Sequence, residues 1–220
     1  MSRLPPMDEA WIAQLLSNGW TTFMLIIVSV WVGSGLVARD RKEQTLEVFL
    51  GRAIGPAQYL WAKAAALGVF LVGFTFVPTV IVVTFQVGLT GDVPFLWQHA
   101  RILWGTLLYA LLGIGSLVLF VLALSSLSRS PRIVGLALIG ILFFGPAVSG
   151  ILWAITHKSL VWYFSPIVEL KALAFMCLGV HSKGPLGHLG DFHVAVFFLL
   201  MVIVSLAVLA LRFYRRGVLR

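Results

Sequence analysis

The side chains best suited to holding a metal crowd into one stretch. Met176, Cys177, His181, His188, Asp191 and His193 fall within eighteen residues. Thiolate, thioether and imidazole ligands suit copper or zinc. Cys177, His181, His188 and His193 are therefore candidate ligands. The plain alternative is an outer loop with interfacial histidines, irregularly spaced and loosened by Gly184, Gly187 and Gly190. Other chemistry is poorly served. The chain has no Gly-Lys dipeptide, hence no Walker loop to cradle a nucleotide, so any ATP hydrolysis belongs to another chain. His99, His157, His181, His188 and His193 lie near one face while the serines are scattered, so no Ser–His pair is nominated for hydrolysis. The chain reads as non-enzymatic.

A second group of residues is suited to docking. Arg39-Asp40-Arg41-Lys42-Glu43 is a run of five charges. Leu46, Phe49 and Leu50 follow at i, i+3, i+4, one apolar helical face, with Glu43 and Glu47 on another. Gly51 ends that pattern, and Gly55-Pro56 marks a turn or a new helix with proline near its first position. Tyr59, Trp61 and Lys63 then stand where an interfacial anchor belongs. A loop with its own helical pattern is usually functional. The alternative is an amphipathic helix that only covers lipid headgroups.

The elements that must carry these groups follow from composition. The 220 residues are 60% hydrophobic and 11% charged, against roughly 45–50% and 25% in a soluble domain. That excludes disorder, a disulfide scaffold and almost any soluble enzyme, and a single cysteine forms no internal disulfide. Charge-free runs of 29, 28, 27, 25 and 20 residues follow Glu9, Lys63, Arg101, Arg132 and Asp191. About 20 apolar residues cross a bilayer as a helix. The expected fold is a single all-α transmembrane domain over residues 1–220, with five spans near 18–38, 64–88, 102–127, 133–155 and 193–211. No Asp, Glu, Lys or Arg lies inside these spans, which argues against a proton-driven pump. Residues 156–192 are read as an outer re-entrant or interfacial hairpin, because Lys158, Glu169, Lys171 and Pro166 interrupt them. Trp11, Ile12, Leu15 and Leu16 form one face of an N-terminal outer amphipathic helix capped by Asp8; an extra turn of the first span fits the pattern equally.

Eleven of the 16 Lys and Arg residues collect on one side of this topology, from Arg39 to Lys63, at Arg129 and Arg132, and from Arg212 onward. The positive-inside rule makes that side, and the C-terminus, cytoplasmic. The inner side carries the whole net charge of +8, and the outer side balances to zero. The basicity is then a topology signal beside anionic lipid, and nucleic acid is not an expected partner.

The segment from Asp40 to Lys63 resembles the corresponding region of ABC-2 type permeases, the membrane subunits of ABC transporters. Asp40, Thr45-Leu46-Glu47, Arg52, Ile54, Tyr59-Leu60 and Lys63 match the family pattern in order, while Gln44, Gly51, Ala53 and Gly55-Pro56 depart from it. The resemblance covers about a ninth of the chain. It implies a coupling helix within residues 40–60 that docks on a separate ABC ATPase subunit, which binds ATP and Mg; no cofactor is implied on this chain. It also implies a second permease copy or a homologous permease around one path, and residence in the cytoplasmic (inner) membrane of a prokaryote. Phe49, Leu50 and Ile54 would be the apolar plug of the docking surface, with Arg41, Glu47 and Arg52 its polar rim. Gly33, Gly35, Pro78, Gly145 and Pro146 would be hinges or, equally, the ordinary glycines and prolines of membrane helices. The family has six spans and carries its coupling segment after the second, so a first span is expected to be missing here. The expected function is the permease subunit of an ATP-driven exporter; the alternative is a non-transporting membrane assembly or scaffold protein that binds a cytoplasmic partner.

Overall fold

Apolar runs of this length must satisfy their backbone groups internally, and a helix does so without a partner strand. The structure, a computed structural model, describes residues 9–43, 55–90, 100–180 and 191–217, which contain helices and no strand. Five helices are long and apolar enough to cross a membrane: Gly19–Lys42, Ala57–Phe85, Ile102–Leu127, Pro131–Thr156 and Phe192–Arg212. The chain is an all-α polytopic membrane protein. The third span coincides with its expected limits. The first two run further at one end, carrying Arg39, Asp40, Arg41, Lys42 and Lys63 on helix. Long charged side chains allow this, because their heads reach water or one another while their stems pack.

The third span is the hub. Of its most apolar stretch 56% is buried within the protein, against 17–33% in the other four. Ile114, Leu117, Val121 and Leu122 meet Leu67 and Leu71 of the second span, Val134 and Leu138 of the fourth, and Val37 of the first in one apolar core. Trp31, Trp61 and Trp104 turn outward. Such an inside-out distribution is stable only where the surroundings are themselves apolar. Buried hydroxyls bond within their own helices, as Thr106 Oγ1 does to the Ile102 carbonyl at 2.8 Å and Ser116 Oγ to the Gly113 carbonyl at 2.7 Å.

Three spans depart from a uniform α-helix. The first breaks after Trp31 into a 3₁₀ turn, Gly33–Gly35, and resumes as Ala38–Lys42. A Cβ on Gly33 would collide with Val121 Cγ1, so only glycine lets the first and third spans approach so closely. Gly35 meets nothing. The third and fourth spans each widen into a π-helical segment, Ala110–Ile114 and Ile139–Phe144. Gly145 and Pro146 directly follow the second of these. Pro78 lies inside the helix Pro56–Thr90, exposed, and does not end it.

Between the fourth and fifth spans the chain turns back into the bundle. His157, left-handed at φ 51°, closes the fourth span. A 3₁₀ segment, Ser159–Phe164, then packs against that span, and the helix Pro166–Leu178 rises between its neighbours. Ser165 faces Gly145, Leu173 faces Gly113, and Cys177–Leu178 lie against Gly105, where a Cβ would come within 2.9 Å of the Cys177 carbonyl. The helix therefore starts level with the middle of the third and fourth spans and climbs to their ends. Most of its residues are buried, Glu169 included. The buried carboxylate sits on the re-entrant helix and in none of the five spans, so a span-by-span reading does not find it. Residues 181–190, the rest of the expected hairpin, lie outside the described residues.

The leading helix, Glu9–Ser17, buries Ile12, Ala13 and Leu16. Its apolar face is covered by protein, chiefly the re-entrant helix, rather than turned wholly to a surface. Asp8, its expected cap, lies outside the described residues.

Candidate functional site

The charges around the first inter-span loop form a network at one end of the bundle. Tyr59 and Lys63 are four residues apart, so both project from one face of the second span. Asp40 lies on the short helix that ends the first span. Tyr59 Oη donates to Asp40 Oδ2 at 2.6 Å, and Lys63 Nζ sits 2.8 Å from the same oxygen. Lys63 also lies 5.6 Å from the centre of the Tyr59 ring. The Asp40 and Lys63 side chains are 15% and 28% exposed, so solvent weakens this pair far less than it weakens a surface bridge. The three residues thus clamp the two arms of the loop, residues 44–54, at its base.

The clamp is fixed in turn to the hub. Ser125 Oγ accepts from the backbone N–H groups of Val37 and Ala38, each at 3.2 Å, and donates to the Ser34 carbonyl at 3.2 Å. One buried hydroxyl therefore holds the 3₁₀ break and caps the helix that carries Asp40. Arg41 donates from its guanidinium to the Ser126 carbonyl. Arg212, from the last span, reaches the Leu127 carbonyl at 3.5 Å. The Arg39–Glu43 pair, 3.0 Å apart, is by contrast largely exposed and contributes little.

Of the residues proposed for docking, the structure places Arg41 in this network. Glu47, Phe49, Leu50, Arg52 and Ile54 lie outside the described residues. Asp40, Tyr59 and Lys63, noted in the sequence only as pattern matches or anchors, prove to touch one another. Ser125 and Ser126 went unnoticed, since a Ser-Ser pair ending an apolar run carries no sign of its partner eighty-odd residues away.

Among the candidate metal ligands, Cys177 is half-buried on the re-entrant helix, and burial pushes its thiol up to about 11. A ligating thiolate needs the opposite shift. His193 is exposed at the start of the last helix, its ring stacked edge-on to Phe192 at 6.0 Å. His181 and His188 lie outside the described residues. Among the described residues no three His, Cys, Asp or Glu side chains gather as a metal would require.

Elsewhere, a cavity of about 550 Å³ lies between the second, third and fifth spans. Trp61, Gly68, Leu111, Gly115 and Phe198 are among its almost wholly apolar walls. Ser116, also in its lining, has its hydroxyl turned to the Gly113 carbonyl.

Compared with known protein families and with curated proteins, the chain matches no family model and no individual protein. What the fold defines is the class: an all-α, multi-pass membrane protein, with a polar network gripping the loop between its first two spans.

Proposed function

We propose that this chain is the membrane-spanning permease subunit of an ATP-driven exporter, driven through its first inter-span loop by a separate ATP-binding subunit. The observation that carries the reading is the clamp. Asp40, Tyr59 and Lys63 hold both arms of the loop against each other, and Ser125 and Arg41 tie that base to the central span. A push on residues 44–54 is delivered through this base to the first three spans together. Gly33–Gly35 is the point where the first span can yield. Phe49, Leu50 and Ile54 form the apolar plug of the docking surface, with Glu47 and Arg52 as its rim. This orientation places the clamp in the cytoplasm, in agreement with the basic residues that surround it. The apolar cavity between the second, third and fifth spans suits a hydrophobic or amphipathic cargo.

The test is co-purification. The doubly substituted chain, Leu50→Asp with Ile54→Asp, inserts into the membrane normally but no longer brings down an ABC ATPase subunit. Undiminished complex formation would overturn the coupling role. A partner that carries no ATPase would favour the assembly-protein reading.

A further inference from the structure

Four buried side-chain nitrogens and oxygens among the described residues have no hydrogen-bond partner, and three of them belong to the re-entrant segment: Trp162 Nε1, Ser165 Oγ and Glu169 Oε1. Ser165 is fully buried and Glu169 is 4% exposed. Ser165 caps the helix Pro166–Leu178 with its carbonyl, which accepts from the Val168 and Glu169 N–H groups, while its hydroxyl stays unengaged. Glu169 stands one turn along the same face. Orphaned polar atoms are rare inside proteins, and three on one short segment call for a role.

The segment lies beside two irregular stretches of the bundle. The helix packs against both π-helical stretches, Ala110–Ile114 and Ile139–Phe144. Such wide turns often mark working sites in membrane helices. It seats against Gly113 and Gly145, where an added Cβ would lie 3.2 Å from Leu173 Cδ2 and 3.3 Å from Ser165 Oγ. At Gly113 the Leu173 side chain fills the space that the missing Cβ leaves, and at Gly145 the small Ser165 does so.

The charge environment is simple. The fourth span from Gly145 onward and both π segments bring no titratable side chain. Among the described side chains the leading helix brings Glu9 and the start of the third span Tyr109. The last helix brings His193 near its start and Arg212 toward its other end. The re-entrant helix itself adds Lys171 and Cys177. Among the described side chains no base pairs with Glu169; the ion pairs there are Arg39–Glu43 and Lys63–Asp40. An ionised carboxylate buried in this way, with an oxygen unpaired, is costly, whereas a neutral carboxyl is tolerated. Desolvation pushes its pKa up to about 7 and lowers that of Lys171.

We propose that Glu169, at the buried start of the re-entrant helix, is a proton-binding site: the loaded proton holds the helix between the third and fourth spans, and its loss releases the helix toward solvent. The proton is taken from and returned to water on the side to which the helix opens. Below the ordinary carboxyl value of 4.5 the buried position is fully favoured, and it is lost as pH rises through about 7. The inference does not depend on the exporter reading, because it concerns a proton and a helix, not a cargo or an ATPase.

The experiment uses the full chain in lipid nanodiscs. Infrared titration of the protonated-carboxyl band, from about pH 4 to about pH 9, reads the site directly. The expected result is one carboxyl titrating near neutrality in the unaltered chain, absent in Glu169→Gln. In parallel, a cysteine replacing Ser165, with Cys177→Ser, is labelled by a soluble maleimide. Rates are normalised to a cysteine at the exposed Gln14. Normalised labelling is expected to rise about tenfold or more between about pH 5 and about pH 8, and Glu169→Gln abolishes the rise. Titration of every carboxyl near its ordinary value overturns the proton site. Neutral titration with labelling unmoved by pH overturns the link to helix movement. The infrared arm on the unaltered chain overturns the proton site, if no carboxyl titrates near neutrality, whether or not the variants fold.

Discussion

Two groups of buried polar side chains in this bundle are built in opposite ways. At the clamp, Asp40 has Tyr59 and Lys63 on one oxygen, and Ser125 Oγ engages two N–H groups and a carbonyl. At the re-entrant helix, Glu169, Ser165 and Trp162 each keep an unengaged atom. The first arrangement resists change, because any motion breaks charge-assisted bonds in a poorly solvated place. The second leaves polar atoms unpaired, so opening it would gain hydrogen bonds. A satisfied network transmits a displacement as a rigid part. An unsatisfied one is the place where a displacement can occur.

The contrast can be broken at either site. The largest effect is expected from Asp40→Ala, which strips Tyr59 and Lys63 of a shared partner. It should cost about 3 kcal/mol, read as a lowered Tm in detergent, and should weaken capture of the proposed ATPase. A loss below about 1 kcal/mol would mean that Asp40 does not hold the two arms together. Glu169→Gln should act in the reverse sense. The buried position of the native carboxyl is fully favoured below pH 4.5 and loses roughly 2–3 kcal/mol as pH rises through about 7. The glutamine variant should lack that slope and be the more stable of the two at alkaline pH. Equal slopes in a pH series of thermal unfolding would erase the distinction between the two sites.

Smaller effects sharpen the comparison. Ser125→Ala leaves the Val37 and Ala38 N–H groups without their acceptor, at an expected cost of about 1–2 kcal/mol, visible as faster amide exchange around residue 37. Arg39→Ala removes only an exposed pair and should change stability by less than about 0.5 kcal/mol. A larger loss there would show that the rim of the network is coupled to its centre.

Much of the fold was legible before any coordinates. The third span was expected at 102–127 and is found at Ile102–Leu127, because a run bounded by Arg101 and Arg129 has only one way to sit across an apolar layer. The first two spans were drawn short where Asp40 and Lys63 pair, since reading along the chain treats each charge as a cost and cannot see its partner. The docking residues from Glu47 to Ile54 are testable only by substitution. The metal reading rested on residue types crowded in sequence, and the described pair, Cys177 and His193, sits on two different helices.

The amino-acid sequence alone determined how many helices are long and apolar enough to cross a membrane, where they lie and which ends carry the positive charge. Those properties depend on the local density of apolar and charged groups, which no folding partner alters. Tertiary structure alone decided that Gly33 meets Val121, that Ser125 holds the break in the first span, and that Glu169 is buried beside two π-helical segments. Those facts depend on which helix faces come together. Helices whose outer faces are as apolar as their inner ones do not announce their partners by periodicity.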